Sequence, residues 1–216
     1  MLVARLLARG AEPDVALLAY EIKLIVVGAG VPVWRRVRVS GGLSLRAFNS
    51  IVRRAFGWPV SNRYVARIRR PWRSQPGAAL VERKRLRLGD TLGEGDGLAF
   101  AYEYGWGGEW EVDAVAERVA AAASPPPPEC LAGAGEIECT TPDPSEYLRL
   151  LRGLRTVGDE LHGEAVGWRR AGIEADSGLP VDAAAITRAL RRGRYPILHG
   201  PAVAASGPRR RRGRFA

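Results

Sequence analysis

Tyr20, Ile22, Leu24 and Val26 alternate with Glu21 and Lys23. A period of two suits a strand with one face buried and one face wet, and it fits no helix. The same alternation returns at Leu98, Phe100, Tyr102 and Tyr104. A chain carrying two such segments must build a sheet and cover one side of it.

The intervening residues supply the cover. Gly28, Ala29 and Gly30 turn the chain into a second strand from about Val33 to Val39, in which Val33, Val37 and Val39 share one face with Arg35 while Trp34, Arg36 and Arg38 project from the other. Ser44 is a suitable N-cap for a helix whose stripe is Leu45, Phe48, Val52, Ala55 and Phe56, with Gly57 as its stop and Arg46, Asn49, Arg53 and Arg54 on its outer face. A third strand is predicted over Tyr64 to Arg69, and a loop over Arg70 to Lys84. After the turn at Gly93 to Gly97, Trp110 to Val115 forms a hairpin with the strand ending at Tyr104. The order strand, strand, helix, strand, hairpin predicts an α+β fold with a mixed or antiparallel sheet, since long parallel crossovers are missing.

Domain organisation follows from composition. Residues 1–19 show no clean period and contain Pro13, so they are expected to be an N-terminal extension; residues 20–119 are the α+β core. Residues 120–129, alanines and then four prolines, favour extended polyproline geometry and predict a linker. Residues 130–195 then form a small helical C-terminal part. One helix begins near Asp143, Pro144 and Glu146, and a second spans Asp182 to Arg192 with Ile186 and Leu190 inward. Residues 196–216 are expected to be a disordered basic tail.

The formal net charge of +10 is unevenly spread. Residues 1–90 carry 18 basic and 5 acidic side chains, residues 91–150 carry 2 and 12, and residues 151–216 carry 13 and 6. Such segmentation suits a polyanion partner, or pairing of the basic and acidic segments with one another. Only Lys23 and Lys84 are lysines, a bias that reflects a GC-rich coding sequence as much as function. No apolar stretch approaches the roughly eighteen residues of a membrane span, because Arg5, Arg9, Glu12 and Asp14 interrupt the N-terminal candidate. A cytoplasmic protein with no membrane partner is expected. Two cysteines, Cys130 and Cys139, make no disulfide framework and suit a reducing compartment.

Motifs for catalysis are sparse. Gly28 and Gly30 lack the third glycine of a dinucleotide loop, and Pro32 sits where its helix would begin. His162 and His199 are the only imidazoles, and the two cysteines are too few for a zinc site. Glu103, Glu109, Glu111 and Asp113 offer paired carboxylates, although an exposed strand face is the preferred account of them. No catalytic residue, metal or cofactor is therefore assigned.

Trp34 with Arg35, Arg36 and Arg38 is the most suggestive cluster, since a ring flanked by guanidinium groups can stack on bases while the cations hold phosphate. Arginine packed over tryptophan to shield a sheet face is equally good physics. Arg53 and Arg54 of the helix extend the candidate nucleic-acid surface, as do Arg209, Arg210, Arg211, Arg212 and Arg214 near the C-terminus.

The run Tyr20 to Ile25, then Pro32, Val33, Trp34, Arg35 and Arg36, the segment Leu45 to Trp58 ending in Gly57-Trp58, then Leu88, Gly89, Asp90, and Tyr102 to Gly105, resembles the Ri-plasmid open-reading-frame-three-like family over about residues 20–190. Its members are often labelled TnpR-type or transposon-associated. The resemblance implies a compact α+β domain of plasmids, mobile elements and bacterial chromosomes with no established activity. The label implies DNA rearrangement, but no serine nucleophile context supports it here. Asn62 and Tyr64 stand where relatives carry histidines after Gly-Trp; Glu103, Tyr104 and Trp106 depart from the family's acidic and aromatic segment; and of a cysteine cluster only Cys130 and Cys139 remain. The resemblance thus implies a scaffold without catalysis. Weak, non-specific nucleic-acid binding is the leading expectation, self-association of basic with acidic segments the alternative, and a hydrolase using the acidic strand a third.

Overall fold

The computed structural model describes residues 13–29, 32–59, 63–69, 79–80, 86–104, 108–136 and 176–201. Its frame is an antiparallel sheet built on β1 (Leu18–Val26), β2 (Trp34–Ser40), β3 (Arg63–Arg69), β5 (Gly97–Tyr104), β6 (Gly108–Ala121) and β7 (Glu129–Glu136). Two short strands, β4 (Ala79–Leu80) and β8 (Asp176–Pro180), extend its edges, giving the order β4-β3-β5-β6-β1-β2-β7-β8. The α+β class expected from the alternation is what the chain adopts.

Alternation decides the faces. Tyr20, Ile22, Leu24 and Val26 of β1 are buried together with Val37 and Val39 of β2, Leu98, Phe100 and Tyr102 of β5, and Trp110, Val112, Ala114 and Ala116 of β6. Helix α1 (Leu45–Ala55) lies over this face, contributing Phe48, Ile51, Val52 and Ala55 to the same core. Ser44 caps it by accepting from the Ala47 N–H at 3.1 Å. Asn49, expected on the outer face, is buried instead, and its side-chain oxygen accepts from the Tyr102 hydroxyl at 2.6 Å. One turn of helix, α2 (Leu88–Thr91), and helix α3 (Ala183–Arg191) complete the layer, with α3 packed on β7 and α1.

The C-terminus of α1 is a Schellman motif. The Trp58 N–H donates to the Arg53 carbonyl at 2.9 Å and the Gly57 N–H to the Arg54 carbonyl at 3.2 Å, with Gly57 at a φ of +73°. A Cβ added at Gly57 would meet nothing within 4 Å, so the cost of a side chain there is purely backbone strain. Gly57→Ala is expected to lower stability by about 1–2 kcal/mol, with Gly57→Asn milder, as measured by urea denaturation.

Four expectations on domain boundaries need correction. Residues 15–19, expected in an extension, belong to the core instead: a 3-10 turn, Val15–Leu17, precedes β1, and Val15 and Ala16 are fully buried because Val15 fills the space beside Gly41 and Gly89 and Ala16 that beside Gly42. The boundary expected at residues 120–129 is absent. β6 runs to Ala121, residues 122–128 connect, and β7 returns to pair with β2 in the same sheet, so the prolines bridge two strands of one core. The part expected to be helical from residue 130 opens with strand β7 and contains β8; of its two expected helices, the one over Asp182 to Arg192 is present as α3, capped by Asp182. The helix expected from Asp143 lies outside the described residues.

Residues 197–201, finally, expected in the tail, pack against the core. Leu43 and Ile197 form a bridge, the Leu198 N–H donates to the Gly42 carbonyl at 2.9 Å, and Asp14 bridges Pro201. Residues 202–216 lie outside the described part of the chain.

Candidate nucleic-acid interface

Trp34, Arg36 and Arg38 project from the sheet face opposite α1, as their alternation predicts, but their charges are already answered. The Arg36 guanidinium donates to both Glu117 oxygens, at 2.6 and 3.2 Å. Arg38 reaches Glu21 at 3.0 Å and Glu129 at 3.2 Å. The Trp34 ring lies between the Lys23 ammonium, 5.0 Å from its centroid, and the Arg36 guanidinium at 5.6 Å. The geometry is that of arginine shielding a tryptophan on a sheet face.

This arrangement also accounts for the segmented charge. β1 and β2 come from the basic segment and are flanked by β6 and β7 from the acidic one, so Arg36–Glu117 and Arg38–Glu129 join the two segments within one chain.

Arg35 is not a surface residue. It is 3% exposed, and its guanidinium serves backbone carbonyls: Nε donates to Ala55 at 3.0 Å, and Nη1 to Trp34 at 2.9 Å, Ala134 at 3.0 Å and Gly135 at 2.7 Å. It also lies 5.0 Å over the Phe56 ring. Burial lowers its pKa, and Cys130 and Glu136 oppose that shift. Arg35 therefore does not belong to the expected nucleic-acid surface, because a side chain sharing a face with Val33, Val37 and Val39 is carried into the core.

Of the two helix arginines, Arg54 is exposed. Arg53 is only 9% exposed, with Nη1 donating to the Pro59 carbonyl at 2.7 Å. Its burial follows from the turn after Gly57, which folds back along the helix end. Arg209, Arg210, Arg211, Arg212 and Arg214 lie outside the described residues.

Exposed cations not singled out by sequence lie on the helical side: Arg46 at the start of α1, Arg191 in the last turn of α3, and Arg192 and Arg194 just beyond it. No ion pair engages Arg46, Arg54, Arg191, Arg192 or Arg194 among the described residues. Tyr195, packed against the core, brings the end of α3 beside the end of α1: burial pushes its hydroxyl pKa up, and the Arg54 and Arg53 charges pull it back down. Helical periodicity identifies Arg46 and Arg191 as surface residues, but nothing in the sequence places the ends of α1 and α3 together.

The acidic strand behaves differently from its expected exposed face. Asp113 is 5% exposed, opposite the buried Ala99 in β5, while Glu111 faces Ala101 and Glu103 pairs in register with Glu109. Cys130 is buried, and burial raises its thiol pKa against the opposing charge of Arg35. Among the described residues no three His, Cys, Asp or Glu side chains stand together as a metal site, and no helix is long and apolar enough to cross a membrane.

The fold and this surface together define an antiparallel α+β domain whose open face pairs Arg36 and Arg38 with carboxylates. Its helical side carries arginines that no carboxylate engages among the described residues. Residues 18–177 match the sequence model of the plasmid pRiA4b ORF-3-like proteins, and the chain belongs to that family. Among solved structures it is similar to MM3350 from Methanosarcina mazei Go1, a protein of unknown function. The TM-score is 0.63, with 20% identity over 78% of this chain and 97% of that one, which is a likeness of fold. No curated protein matches the chain.

Proposed function

We propose that the chain is a non-enzymatic domain that holds nucleic acid weakly, through phosphate contacts and without sequence preference. Its cations are Arg46, Arg54, Arg191, Arg192 and Arg194 of the helical side, supplemented by Arg209 to Arg212 and Arg214. The observation that supports this reading is a contrast between two sets of cations. On the open face Arg36 and Arg38 are engaged by carboxylates, whereas Arg46, Arg54, Arg191, Arg192 and Arg194 are exposed and, unlike Arg188 beside Asp182, carry no ion pair among the described residues. Unpaired cations release counterions from a phosphate backbone; paired ones must first give up a carboxylate.

The measurement is DNA binding as a function of salt. Affinity should fall steeply with ionic strength, and the triple change Arg191→Glu, Arg192→Glu and Arg194→Glu should flatten the log–log slope by about 0.9 for each phosphate no longer neutralised. Deleting residues 207–216 should flatten it further, while Arg36→Gln should leave it alone. A slope unchanged by both the triple change and the deletion would falsify the proposal.

A further inference from the structure

We propose that Arg53, Arg54 and Tyr195 form a seat for a single phosphate group, the place where the helical side fixes a phosphate that the surrounding arginines merely attract. The seat takes its setting from the function proposed above and adds a defined site to it.

Two polar atoms at this junction are sealed from solvent and have no hydrogen-bond partner among the described residues: the Arg53 Nε–H and the Tyr195 hydroxyl. Arg53 as a whole is about nine-tenths buried, with Nη1 held by the Pro59 carbonyl, so its guanidinium cannot turn away to satisfy Nε in water. Leaving such donors unmade is costly, and native proteins rarely do so without a ligand, ion or water to meet them. Both residues sit at element ends that pack together, Arg53 in the last turn of α1 and Tyr195 four residues past α3.

Electrostatics points to the sign of the occupant. Arg54 and Arg53 are the charges that act on the Tyr195 hydroxyl, and no carboxylate among the described residues counters them there. Two cations and a hydroxyl without an anion suit an oxyanion, and a phosphate oxygen can accept from the Arg53 Nε–H and the Tyr195 O–H together while Arg54 balances its charge. Gly193 makes the inward turn of the tyrosine feasible. A Cβ at that position would fall on the Tyr195 hydroxyl and ring, so any side chain there expels the hydroxyl from the junction.

The test uses the full chain and inorganic phosphate, with sodium chloride at matched ionic strength as reference, followed by thermal unfolding and titration calorimetry. Phosphate should stabilise the protein saturably beyond chloride. Tyr195→Phe should weaken the apparent phosphate affinity by about tenfold, as expected for losing one hydrogen bond to a charged acceptor. Gly193→Ala, which disturbs the site from a different residue, should weaken it similarly, and the triple change at Arg191, Arg192 and Arg194 should retain saturable binding. Equal effects of phosphate and chloride, or phosphate binding indifferent to both Tyr195→Phe and Gly193→Ala, would overturn the seat. An oligonucleotide without terminal phosphates separates the sources: competition with inorganic phosphate marks a phosphodiester ligand, and its absence marks a free phosphate or monoester. Salt-sensitive DNA binding without a saturable phosphate effect refutes the seat and leaves the proposed function standing; the reverse pattern refutes that function and keeps the seat.

Discussion

Arg35→Met should lower the unfolding free energy by about 2–4 kcal/mol. Methionine keeps an apolar side chain of similar length but loses the guanidinium over Phe56 and donates nothing, so the carbonyls of Ala55, Ala134 and Gly135 lose their charged donor in a buried setting. These carbonyls belong to the end of α1 and to β7, so one guanidinium ties the helix layer to a strand almost a hundred residues away in sequence. Arg35→Lys should recover little, because a single ammonium lacks the fork needed to reach carbonyls on both sides. Urea denaturation with an unchanged m-value is the diagnostic. A loss below about 1 kcal/mol would show that relief of the buried charge offsets the missing hydrogen bonds.

A comparable loss, about 3–5 kcal/mol, is expected for Arg87→Ala. Arg87 and Asp90 form a buried bidentate pair, with Nε to Oδ2 and Nη2 to Oδ1 both at 2.8 Å. The remaining donors of Arg87 go to the carbonyls of His199, Gly200 and Pro201. Removing the guanidinium strips Asp90 of this bidentate partner and releases the segment around residue 200. The double change Arg87→Met with Asp90→Leu should regain part of the loss, since replacing both charges removes the desolvation penalty that breaking one leaves behind.

Truncation offers an independent check on the same segment. Ending the chain at residue 195 should be strongly destabilising, because it removes the Leu43–Ile197 bridge, the Leu198 N–H bond to Gly42 and the carbonyls that Arg87 meets. Asp14 contributes here as well. Partial burial raises its pKa, but the N–H of Ala16, the His199 ring at 2.7 Å and the N–H of Gly200 more than offset this, and the net shift is downward. A carboxylate with a lowered folded-state pKa contributes stability above its ordinary value, and that contribution is lost as pH falls through the folded value. The wild type should therefore lose more stability on acidification below about pH 4 than Asp14→Asn does.

The fold was legible wherever sequence period and burial coincide. β1, α1 and the β5–β6 hairpin follow from alternation or helical spacing, and α3 follows from Asp182 as its cap. β7 was not legible. Its sequence, Glu-Cys-Leu-Ala-Gly-Ala-Gly-Glu, has no β-branched or aromatic residue, and it is a strand because β2 and Arg35 supply partners for its backbone. The family resemblance was carried by the buried framework and is matched by the family model.

The candidate surface was only half readable. Arg35 shared its face with three valines, which is the pattern of a core residue, and its charge drew attention to the wrong property. The carboxylates that answer Arg36 and Arg38 lie on β1, β6 and β7, so their proximity is created by strand order and is invisible to any local pattern. Tyr195 carries no local signal at all. Its importance comes from where α3 ends against α1.

The central position of β1 also sets the tempo of assembly. Ile22 pairs with Val37 on one side and with Ala116 on the other, so the β1–β2 hairpin has a second edge with no local partner. Until β6 is synthesised, that edge remains an open template for other extended chains, and the pairing that closes it is long-range and slow. The β1–β2 hairpin is therefore complete before Glu117 of β6 and Glu129 of β7 exist to pair with Arg36 and Arg38.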